Sequence, residues 1–427
     1  MQDKLNALEK YNFWDGNLPD LGFLRKTYTD NILSYSNNKL IKVIVGQRRA
    51  GKSYILRQIA NELMSRDVNP NNIFYFNKEF IDFDFVRHYS DLENLVKQYK
   101  EKLKPKGKIY LLIDEIQNIA EWERFVNSYS QDFTAQYELF ISGSNSKMLS
   151  GELATLLSGR YVTFEVFPFS FKEYSGITKQ ELIKQTYINY MESGGLPEFF
   201  TLPNEQTRRH YTASVMDTVL LRDIIQHFSV GDPKLLEDVF VYLVNNSSNL
   251  VSINNIANYM KSSGRKTSYD TVANYIGYIE DSFLMHKAER YDIKGKDTIS
   301  GTSKYYANDL AFKNYLYSGY GYGIGYKLEN LVYLELRRAG YEVYVGVMRN
   351  KEVDFVAKKA NELLYVQCAY LLVDEQTIKR EYASLEAIGD NYTKIVVSLD
   401  DVQLPKNQGI RHIQAWRLHE FLTLDRM

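Results

Sequence analysis

Short apolar runs alternate with helical segments in the N-terminal part of the chain. The runs lie at 41–45, 72–76, 108–113, 138–141 and 161–166. Between them, apolar residues recur at the three-to-four-residue spacing of helices that pack against a sheet. Because buried parallel strands read as nearly continuous apolar runs, the pattern predicts an α/β fold. We expect a parallel, three-layer sheet with a ligand site at the carboxyl ends of its strands.

The pattern becomes mainly helical after about residue 168. Helical stretches at 235–245, 252–261 and 268–281 precede a strand-like run at 284–291 and a basic turn. Helices followed by a hairpin in so short a segment are typical of a winged helix. An α/β pattern then returns. The chain divides into four predicted domains, at 1–168, 169–230, 231–300 and 301–427.

Composition narrows the class of protein. The 427 residues are 44% hydrophobic and 25% charged, with a formal net charge of -1, so the chain lacks the basic field that draws proteins to nucleic acid. The single cysteine, Cys368, excludes an intramolecular disulfide and a cysteine-based zinc cluster. We see neither a signal-peptide pattern nor an apolar window long enough to span a membrane. We therefore expect a cytoplasmic protein without a membrane partner.

The first apolar run leads into a phosphate-binding pattern, G-x-x-x-x-G-K-[ST], and a helical segment follows. This loop (the P-loop) reads Gly46-Gln47-Arg48-Arg49-Ala50-Gly51-Lys52-Ser53 and is followed by Tyr54. Its glycines let backbone amides turn toward phosphate, and the next helix adds the positive end of its dipole. We predict that residues 46–54 bind ATP, with Lys52 on the β- and γ-phosphates and Ser53 on Mg²⁺. The arginine side chains are expected to form salt bridges or interdomain contacts.

The third apolar run ends in two acids, Asp114 and Glu115. Parallel strands end at a common edge of a sheet, so both acids are expected beside the P-loop. Asp114 is the expected partner of Mg²⁺, and Glu115 is the expected base that polarises the attacking water. The adjacent glutamate, with one apolar run between the two motifs, points to the P-loop proteins that have an additional strand and a catalytic glutamate.

Polar residues after the fourth run are candidates for sensing the γ-phosphate. Ser142, Ser144 and Asn145 occupy this position, and we favour Ser144 or Asn145. Arg160, before the fifth run, and Arg222, in the helical segment, are candidates for neutralising charge on the γ-phosphate within one chain or from a neighbouring subunit. The alternatives are a plain serine-rich turn, and surface or structural roles for the two arginines.

Five motifs together resemble those of the prokaryotic AAA-type P-loop ATPases that carry a C-terminal DUF4143 domain. They are Gly-x-Arg-Arg-x-Gly-Lys-Ser at 46–53, Leu-Ile-Asp-Glu-Ile-Gln at 112–117, Ile-Ser-Gly-Ser-Asn at 141–145, Leu-Ser-Gly-Arg at 157–160 and Pro-Phe-Ser-Phe-Lys-Glu at 168–173. The resemblance implies an ATPase core, a helical lid, a winged helix and a restriction-endonuclease-like domain, in the order of the four predicted domains.

An endonuclease-like site would need acids on two strands and a lysine two residues after the second acid. Asp354 supplies the first acid, with Glu329 or Glu335 as an added ligand. Gln367 and Ala369 stand at the positions of the second acid and the lysine. A neutral amide binds Mg²⁺ more weakly than a carboxylate, and alanine cannot contact the water. We therefore predict a degenerate, inactive C-terminal domain.

Two functions fit these patterns. The first is an Mg²⁺-dependent ATP hydrolase that couples its nucleotide state to the winged helix and the C-terminal domain. The second is a slow nucleotide-gated switch that binds DNA or a protein partner. The predicted recognition helix at 269–281 contains no lysine or arginine, whereas Lys294 and Lys296 lie in the predicted wing. DNA binding by the wing, a domain-packing role for the winged helix and a homo-oligomeric state all stay open.

Overall fold

A computed structural model of the chain describes residues 2–17, 19–144, 157, 159–219, 224–317, 323–348 and 351–424. The chain forms two compact units, Met1–Val166 and Phe167–Met427. Each unit has its own sheet and its own buried apolar residues.

The first unit alternates strands with helices. Its described residues form helices α1 (Gln2–Tyr11), α2 (Lys26–Ser34), α3 (Lys52–Ser65), α4 (Tyr89–Leu103) and α5 (Trp122–Gln131). They form strands β1 (Ile41–Val45), β2 (Ile73–Asn77), β3 (Ile109–Asp114), β4 (Tyr137–Gly143) and β5 (Tyr161–Glu165). Short 3₁₀ turns lie at Pro70–Asn72, Ile81–Phe83 and Ile116–Asn118.

The sheet of the first unit is parallel throughout, in the order β2-β3-β4-β1-β5. Strand β4 therefore lies between β1 and β3, so the strand before the P-loop and the strand before the two acids are not neighbours. All five residues of β1 are buried, which explains its nearly continuous apolar sequence. Its one charged residue, Lys42, forms a salt bridge with Glu138 of β4.

One apolar core of the first unit forms between the sheet and helix α3. Ile55, Leu56 and Ile59 are fully buried on this helix, and each contributes roughly 1.5–3 kcal/mol through removal of its side chain from water. They pack with Ile44 of β1 and Phe140 of β4. This packing fixes the start of α3 at the end of β1, where the P-loop joins the two elements.

The second unit begins with helices and ends with an α/β arrangement. Its described residues form helices α6 (Phe171–Thr178), α7 (Lys184–Ser193), α8 (Glu205–Asp217), α9 (Ile225–Phe228), α10 (Pro233–Asn245), α11 (Ile253–Ser262), α12 (Tyr269–Asp281), α13 (Leu310–Leu316), α14 (Ile324–Arg338), α15 (Glu375–Glu386) and α16 (Leu418–Leu424). They form strands β6 (Leu250–Val251), β7 (Met285–Asp292), β8 (Asp297–Ala307), β9 (Glu342–Met348), β10 (Lys351–Lys359), β11 (Glu362–Ala369), β12 (Thr393–Ser398) and β13 (Arg411–Gln414). Two 3₁₀ segments lie at Pro197–Thr201 and Ala415–Arg417.

One sheet runs through most of the second unit, in the order β13-β12-β11-β10-β9-β7-β8-β6. Strands β9, β10 and β11 are antiparallel, whereas β11, β12 and β13 are parallel. At the other end, β6, β8 and β7 form an antiparallel ribbon, and β7 joins β9 in parallel. The hairpin β7–β8 follows helices α10 to α12. It therefore belongs to the same hydrogen-bonded sheet as the strands of the C-terminal α/β part.

The second unit has apolar cores on both faces of its sheet. Helices α6, α7 and α14 pack with Phe355 and Val366, whereas α15 packs with Val356 and Tyr365. Neighbouring residues on a strand point to opposite faces, which is why these pairs belong to different cores. A further cluster joins α8 and α10 to α13 with the ribbon of β6, β7 and β8.

Asp309 fixes the turn that ends helix α7. Its carboxylate accepts hydrogen bonds from the backbone of Gly195 at 2.8 Å and of Ala311 at 2.7 Å. A Cβ on Gly195 would lie 2.2 Å from the carbonyl oxygen of Phe169, so only glycine fits there. Burial raises the pKa of Asp309 to about 6, although both backbone hydrogen bonds favour its ionised form.

Most of the strands and helices predicted from the sequence occur in the structure. The sequence also predicts a helix from about Asp91, as its cap, to Leu103; in the structure, helix α4 begins at Tyr89 with His88 as its cap, and the side chain of Asp91 completes the capping box. A further helix expected around 214–228 is represented by the end of α8 and by α9, and residues 220–223 lie outside the described part of the chain. The sequence pattern does not predict strand β13 or helix α16.

The four predicted domains stay a prediction, and their boundaries fall at different positions relative to the two units. The break between the two units follows Val166, close to the predicted boundary after 168. The boundary predicted after residue 300 falls inside β8, because this strand extends the hairpin by several residues. Helices of the predicted lid at 169–230 share a core with the C-terminal α/β part. In the part of the chain that the structure describes, no helix is both long and apolar enough to cross a membrane.

Candidate functional site

Four strands of the first unit bring the P-loop and three polar residues to one edge of its sheet. Gly46 follows β1, Asp114 ends β3, Asn77 ends β2 and Ser142 lies near the end of β4. The strands are parallel and in register, with Asn77 beside Asp114 and Ile44 beside Ser142. This carboxyl edge is where open α/β sheets bind their ligands.

The P-loop has the backbone conformation that its glycines permit. Gly46 has φ of 146° and Gly51 has φ of 96°, and both values lie in the region that favours glycine. A Cβ on Gly46 would lie 2.2 Å from the carbonyl oxygen of Val166. Gly51 is the N-cap of α3, and no side chain caps this helix. The first amides of α3 are therefore directed at the loop, which is the arrangement that binds phosphate at helix N-termini.

Lys52 is buried at the first position of α3. Its Nζ donates to the carbonyl oxygens of Gly46 at 3.0 Å and Gln47 at 3.1 Å. The same atom lies 3.7 Å from Oε1 of Glu115. The ammonium group of Lys52 thus lies between the P-loop and Glu115, which follows β3.

Asp114 is fully buried and held by three side chains. Its carboxylate accepts hydrogen bonds from Asn77 at 2.9 Å, from Tyr75 at 3.2 Å and from the hydroxyl of Ser142. Burial and the neighbouring charge of Glu115 raise the pKa of Asp114 to about 6. Interactions with the hydroxyls of Ser142 and Ser53 oppose this shift, because they favour the carboxylate. A serine hydroxyl and a carboxylate, the usual protein partners of Mg²⁺ in P-loop proteins, therefore lie together.

Glu115 is oriented by two hydrogen bonds and by an unusual backbone. Its Oε2 accepts from Nε2 of Gln117 at 2.6 Å and from the hydroxyl of Ser144 at 3.1 Å. Its backbone amide donates to Ser142 at 3.2 Å, and its φ is 54°. A non-glycine residue in the left-handed region costs free energy, and such strain is concentrated at functional sites.

Arg25, in the basic-aromatic stretch at 24–28 that leads into α2, contacts the P-loop. Its Nη1 donates to the carbonyl oxygen of Ala50 at 2.9 Å, and its guanidinium lies 4.4 Å from the ring centre of Tyr28. Gln58 of α3 holds the backbone of Arg25 and accepts its amide at 3.0 Å. The same glutamine donates to the carbonyl oxygens of Leu21 at 2.8 Å and Phe23 at 2.9 Å. The segment before α2 is thus bound along the P-loop helix.

The sequence pattern assigns neither Asn77 nor Gln117 to the site. It marks the basic-aromatic stretch at 24–28, which contains Arg25, as a segment that packs near the nucleotide base or braces the sheet as a surface helix. For Asn77, a signal was available: it is the last residue of a strand that neighbours β3, and neighbouring parallel strands end together. Gln117 lies within the Leu-Ile-Asp-Glu-Ile-Gln motif, but the turn that brings it back to Glu115 is not visible in the sequence. The hydrogen bond from Arg25 to Ala50 is not visible in the sequence, because it depends on the tertiary fold.

The other predicted site residues have varied positions. Ser144 contacts Glu115, whereas Asn145 and Arg222 lie outside the described residues. Arg48 forms a salt bridge with Glu79, as predicted for the arginine side chains of the P-loop. Tyr54 is 40% exposed, and the guanidinium of Arg57 on α3 lies 4.1 Å from the centre of its ring.

Arg160 is not brought to the site within its own chain. It precedes β5, and its carbonyl oxygen accepts the amide of Ile41, the first residue of β1. Because β1 and β5 are parallel, Arg160 lies at the opposite edge of the sheet from Lys52. Strand β1 has five residues, which corresponds to roughly 16 Å between the two edges. The candidate role of Arg160 within one chain is therefore corrected, and only a role toward a neighbouring subunit stays a prediction.

A second polar cluster lies in the C-terminal α/β part. Nζ of Lys304 on β8 lies 3.0 Å from Glu329 of α14, 2.8 Å from Glu352 of β10 and 3.7 Å from Asp354 of β10. Tyr306 donates to Glu329 at 2.8 Å. We name this group of five residues the Lys304 cluster.

The predicted endonuclease positions have other partners. The amide of Gln367 donates to Glu381 of α15 at 3.2 Å and its oxygen accepts from the backbone of Asp354 at 3.3 Å. Ala369 is buried in the core beneath α15. Glu335, the alternative ligand, forms a salt bridge with Arg338 at 2.7 Å.

Two family models match the chain. The AAA domain family (AAA_14) matches residues 38–175, and DUF8612, a domain of unknown function, matches residues 184–321. The second match corrects the expected DUF4143 assignment.

Relatives cover nearly the whole chain. An uncharacterised protein of Haemophilus influenzae is 36% identical over 401 residues, which are 92% of this chain and 98% of that protein. An uncharacterised protein of Methanocaldococcus jannaschii is 34% identical over 383 residues, 85% of this chain and 81% of that protein.

Two solved structures illustrate the structural matches. The Walker-type ATPase of Pyrococcus abyssi has a TM-score of 0.43 and 14% identity, covering 69% of this chain and 95% of that one. The ORC1 protein of Aeropyrum pernix, solved in complex with DNA, has a TM-score of 0.34 and 10% identity, covering 70% and 94%. On the two relatives, the chain belongs to the same family as the H. influenzae and M. jannaschii proteins, and its residues 38–175 match the AAA domain family.

Proposed function

We propose that the protein binds and hydrolyses ATP with Mg²⁺ and couples its nucleotide state to the second unit. The observation that carries the proposal is the placement of Lys52, Asp114 and Glu115 around one end of α3. Nζ of Lys52 lies 3.7 Å from Glu115, and Asp114 is buried beside them. A cation for phosphate, a carboxylate for the metal and a second carboxylate for water are the groups that this reaction needs.

The residues at this edge fit a nucleotide and a magnesium ion. The uncapped N-terminus of α3 and the glycines of the P-loop favour phosphate oxygens. Ser53 and Asp114 offer a hydroxyl and a carboxylate of the hard-oxygen type that Mg²⁺ prefers. When bound, Mg²⁺ would neutralise charge on the β- and γ-phosphates. Arg25 would support the loop from its outer side through the carbonyl of Ala50.

Glu115 is the group that would take a proton from the attacking water. Its Oε2 is held by Gln117 and Ser144, so its Oε1 is the atom left to face Lys52 and the phosphate. A phosphate oxygen would replace the carbonyls of Gly46 and Gln47 as the partner of Lys52. Separation of Lys52 from Glu115 would then free the carboxylate to act as a base.

Two variants test this assignment. Lys52→Ala removes the phosphate cation, so we expect loss of ATP binding by calorimetry. Glu115→Gln keeps the shape of the side chain but not its basicity, so we expect ATP binding with turnover lowered about 100-fold or more. Glu62→Gln, on the outer side of α3, is the matched control and should turn over normally. Normal turnover in Glu115→Gln would contradict the proposal.

A second candidate function is a slow nucleotide-gated switch that binds DNA through a winged helix. Helices α10 to α12 and the hairpin β7–β8 occur in the order of that fold, and β6 completes its small sheet. Lys294 and Lys296 are exposed on the turn of the hairpin. In contrast, Arg265 and Lys287 form salt bridges with Asp238 and Glu289.

DNA binding by the hairpin turn is tested with a double variant. The double variant Lys294→Ala with Lys296→Ala should bind DNA more weakly, because it loses contacts with DNA phosphates. Its DNA affinity should also depend less on salt concentration, since each phosphate contact contributes to that dependence. Lys261→Ala with Lys266→Ala, which removes two exposed cations elsewhere in this region, serves as the control. Unchanged DNA affinity in the hairpin variant would exclude the turn as a contact. ATP turnover that DNA does not alter would favour a protein partner.

A further inference from the structure

The Lys304 cluster is a buried meeting point of three elements in the second unit. Lys304 comes from β8, Glu329 from α14, and Glu352 and Asp354 from β10. The side chains of Lys304, Glu329 and Asp354 are 5%, 10% and 12% exposed, whereas that of Glu352 is 37% exposed. Three acids therefore face one ammonium group, and only Glu352 lies at the rim.

We propose that the ammonium of Lys304 is the resident cation of this cluster, so that the C-terminal α/β part takes no catalytic divalent metal. Nζ of Lys304 lies within 3.7 Å of all three carboxylates. A lysine that assists a metal-bound water should lie beside a metal site, not at the centre of its carboxylates. The endonuclease-like expectation and the residues present therefore do not agree.

The surrounding hydrogen bonds support this inference. The oxygen of Glu329 that meets Lys304 also accepts from Tyr306, and the second oxygen of Asp354 accepts the amide of Cys368 at 2.8 Å. These contacts occupy carboxylate oxygens that a divalent metal would need, and they surround the ammonium with hydrogen-bond acceptors.

A divalent ion would meet further obstacles at this position. Close approach to Glu329 and Asp354 would place it beside the ammonium, and like charges repel strongly where water is excluded. Lys304 is held in place because its backbone belongs to a strand paired with both β6 and β7. Among the described residues, no group of three or more His, Cys, Asp or Glu side chains has the spacing to hold a metal ion.

The experiment measures Mn²⁺ binding to the full chain without nucleotide. We compare the wild type with Glu329→Gln by electron paramagnetic resonance, so that any weak binding at the P-loop cancels. We expect no difference between the two proteins. Mn²⁺ binding by the wild type that Glu329→Gln lacks would overturn the proposal, as would plasmid cleavage with the same dependence.

Removal of the ammonium gives the complementary test. Lys304→Met leaves three acids without a cation, so its melting temperature should fall, and millimolar Mn²⁺ should restore several degrees of it. The double variant Lys304→Met with Glu329→Gln should show no such rescue. A folded Lys304→Met protein that gains no affinity for Mn²⁺ would also overturn the proposal. Lys42→Met, which removes a buried lysine paired with Glu138 in the first unit, is the control and should gain no Mn²⁺ affinity. If Lys304→Met does not fold, the wild-type comparison with Glu329→Gln decides alone.

Discussion

Arg25 shows how a residue far from the P-loop in sequence sets the loop's conformation. Its guanidinium binds the carbonyl of Ala50, and a Cβ on Gly51 would lie 3.8 Å from the same group. The arginine is 3% exposed, so its hydrogen bond is sheltered from water. A hydrogen bond from a charged group typically contributes about 1.5–3 kcal/mol. The free energy of this contact is large enough to affect how well the P-loop is prepared for phosphate.

We predict that Arg25→Ala raises the KM for ATP about tenfold and lowers kcat by less than about threefold. The reason is that Arg25 contacts the loop, whereas the proposed function assigns the phosphate to Lys52 and the attacking water to Glu115. Arg25→Lys keeps the charge and one donor, so its KM should lie between those of Arg25→Ala and the wild type. Steady-state kinetics with the melting temperature as a folding control measure both effects. A fall in kcat with unchanged KM would show that Arg25 acts on the chemical step instead.

Gly46 permits a contact that no other residue allows. Its φ of 146° and the 2.2 Å approach of the Val166 carbonyl leave no space for a side chain. We predict that Gly46→Ala destabilises the protein by about 2–5 kcal/mol and abolishes ATP binding. Gly107→Ala is the control, because it also replaces a glycine with positive φ but has open space around its Cβ position. Equal melting temperatures for the two variants would contradict the steric argument.

At the scale of elements, Asp309 holds the end of α7 and the start of α13 together. Its buried carboxyl has a pKa of about 6, above the roughly 3.9 of an unfolded chain. The folded state therefore binds this proton more tightly, and the group stabilises the fold most below pH 4. This stabilisation is lost as the pH rises through 6, by about 3 kcal/mol in total.

We predict that Asp309→Asn removes this pH dependence. Relative to the wild type, the melting temperature of Asp309→Asn should rise as the pH increases from 4 to 7. Asp232→Asn, which alters the half-buried cap of α10, separates the effect of burial from the loss of a charged cap. A difference that stays constant over this pH range would show that Asp309 does not titrate as proposed.

The elements of the first unit were predictable because local pattern and burial agree there. Strand β1 is apolar along its length and buried along its length, and the P-loop follows it directly. Asp114 and Glu115 could be placed at the same edge because parallel strands share their direction. The reach of Lys304 from β8 to α14 could not be predicted, because it depends on how a twisted sheet brings distant strands together. For the same reason the predicted endonuclease positions Gln367 and Ala369 gave no sign of the Lys304 cluster.

At the scale of the whole molecule, the pattern predicts four domains, and the structure groups their elements into two compact units. Sequence periodicity reports the local elements but not which helices share a core. Helices α6 and α7 were assigned to a lid, yet Phe171 and Tyr187 pack in one cluster with Val332 and Phe355 of the α/β part. A domain boundary is therefore a property of the packed core, which appears only when distant segments meet.

This packing predicts where the chain can be divided. A fragment of residues 167–427 keeps α6 and α7 on the sheet, and we expect it to be soluble with a cooperative thermal transition. A fragment of residues 231–427 removes Phe171, Tyr187 and Tyr190 from that core. Each buried aromatic side chain contributes roughly 1.5–3 kcal/mol, so their combined loss is comparable to the whole stability of a typical domain, about 5–15 kcal/mol. We expect this shorter fragment to aggregate or to lack a transition in calorimetry and size-exclusion chromatography. Equal solubility and melting temperatures for the two fragments would show that the predicted lid folds independently of the α/β part.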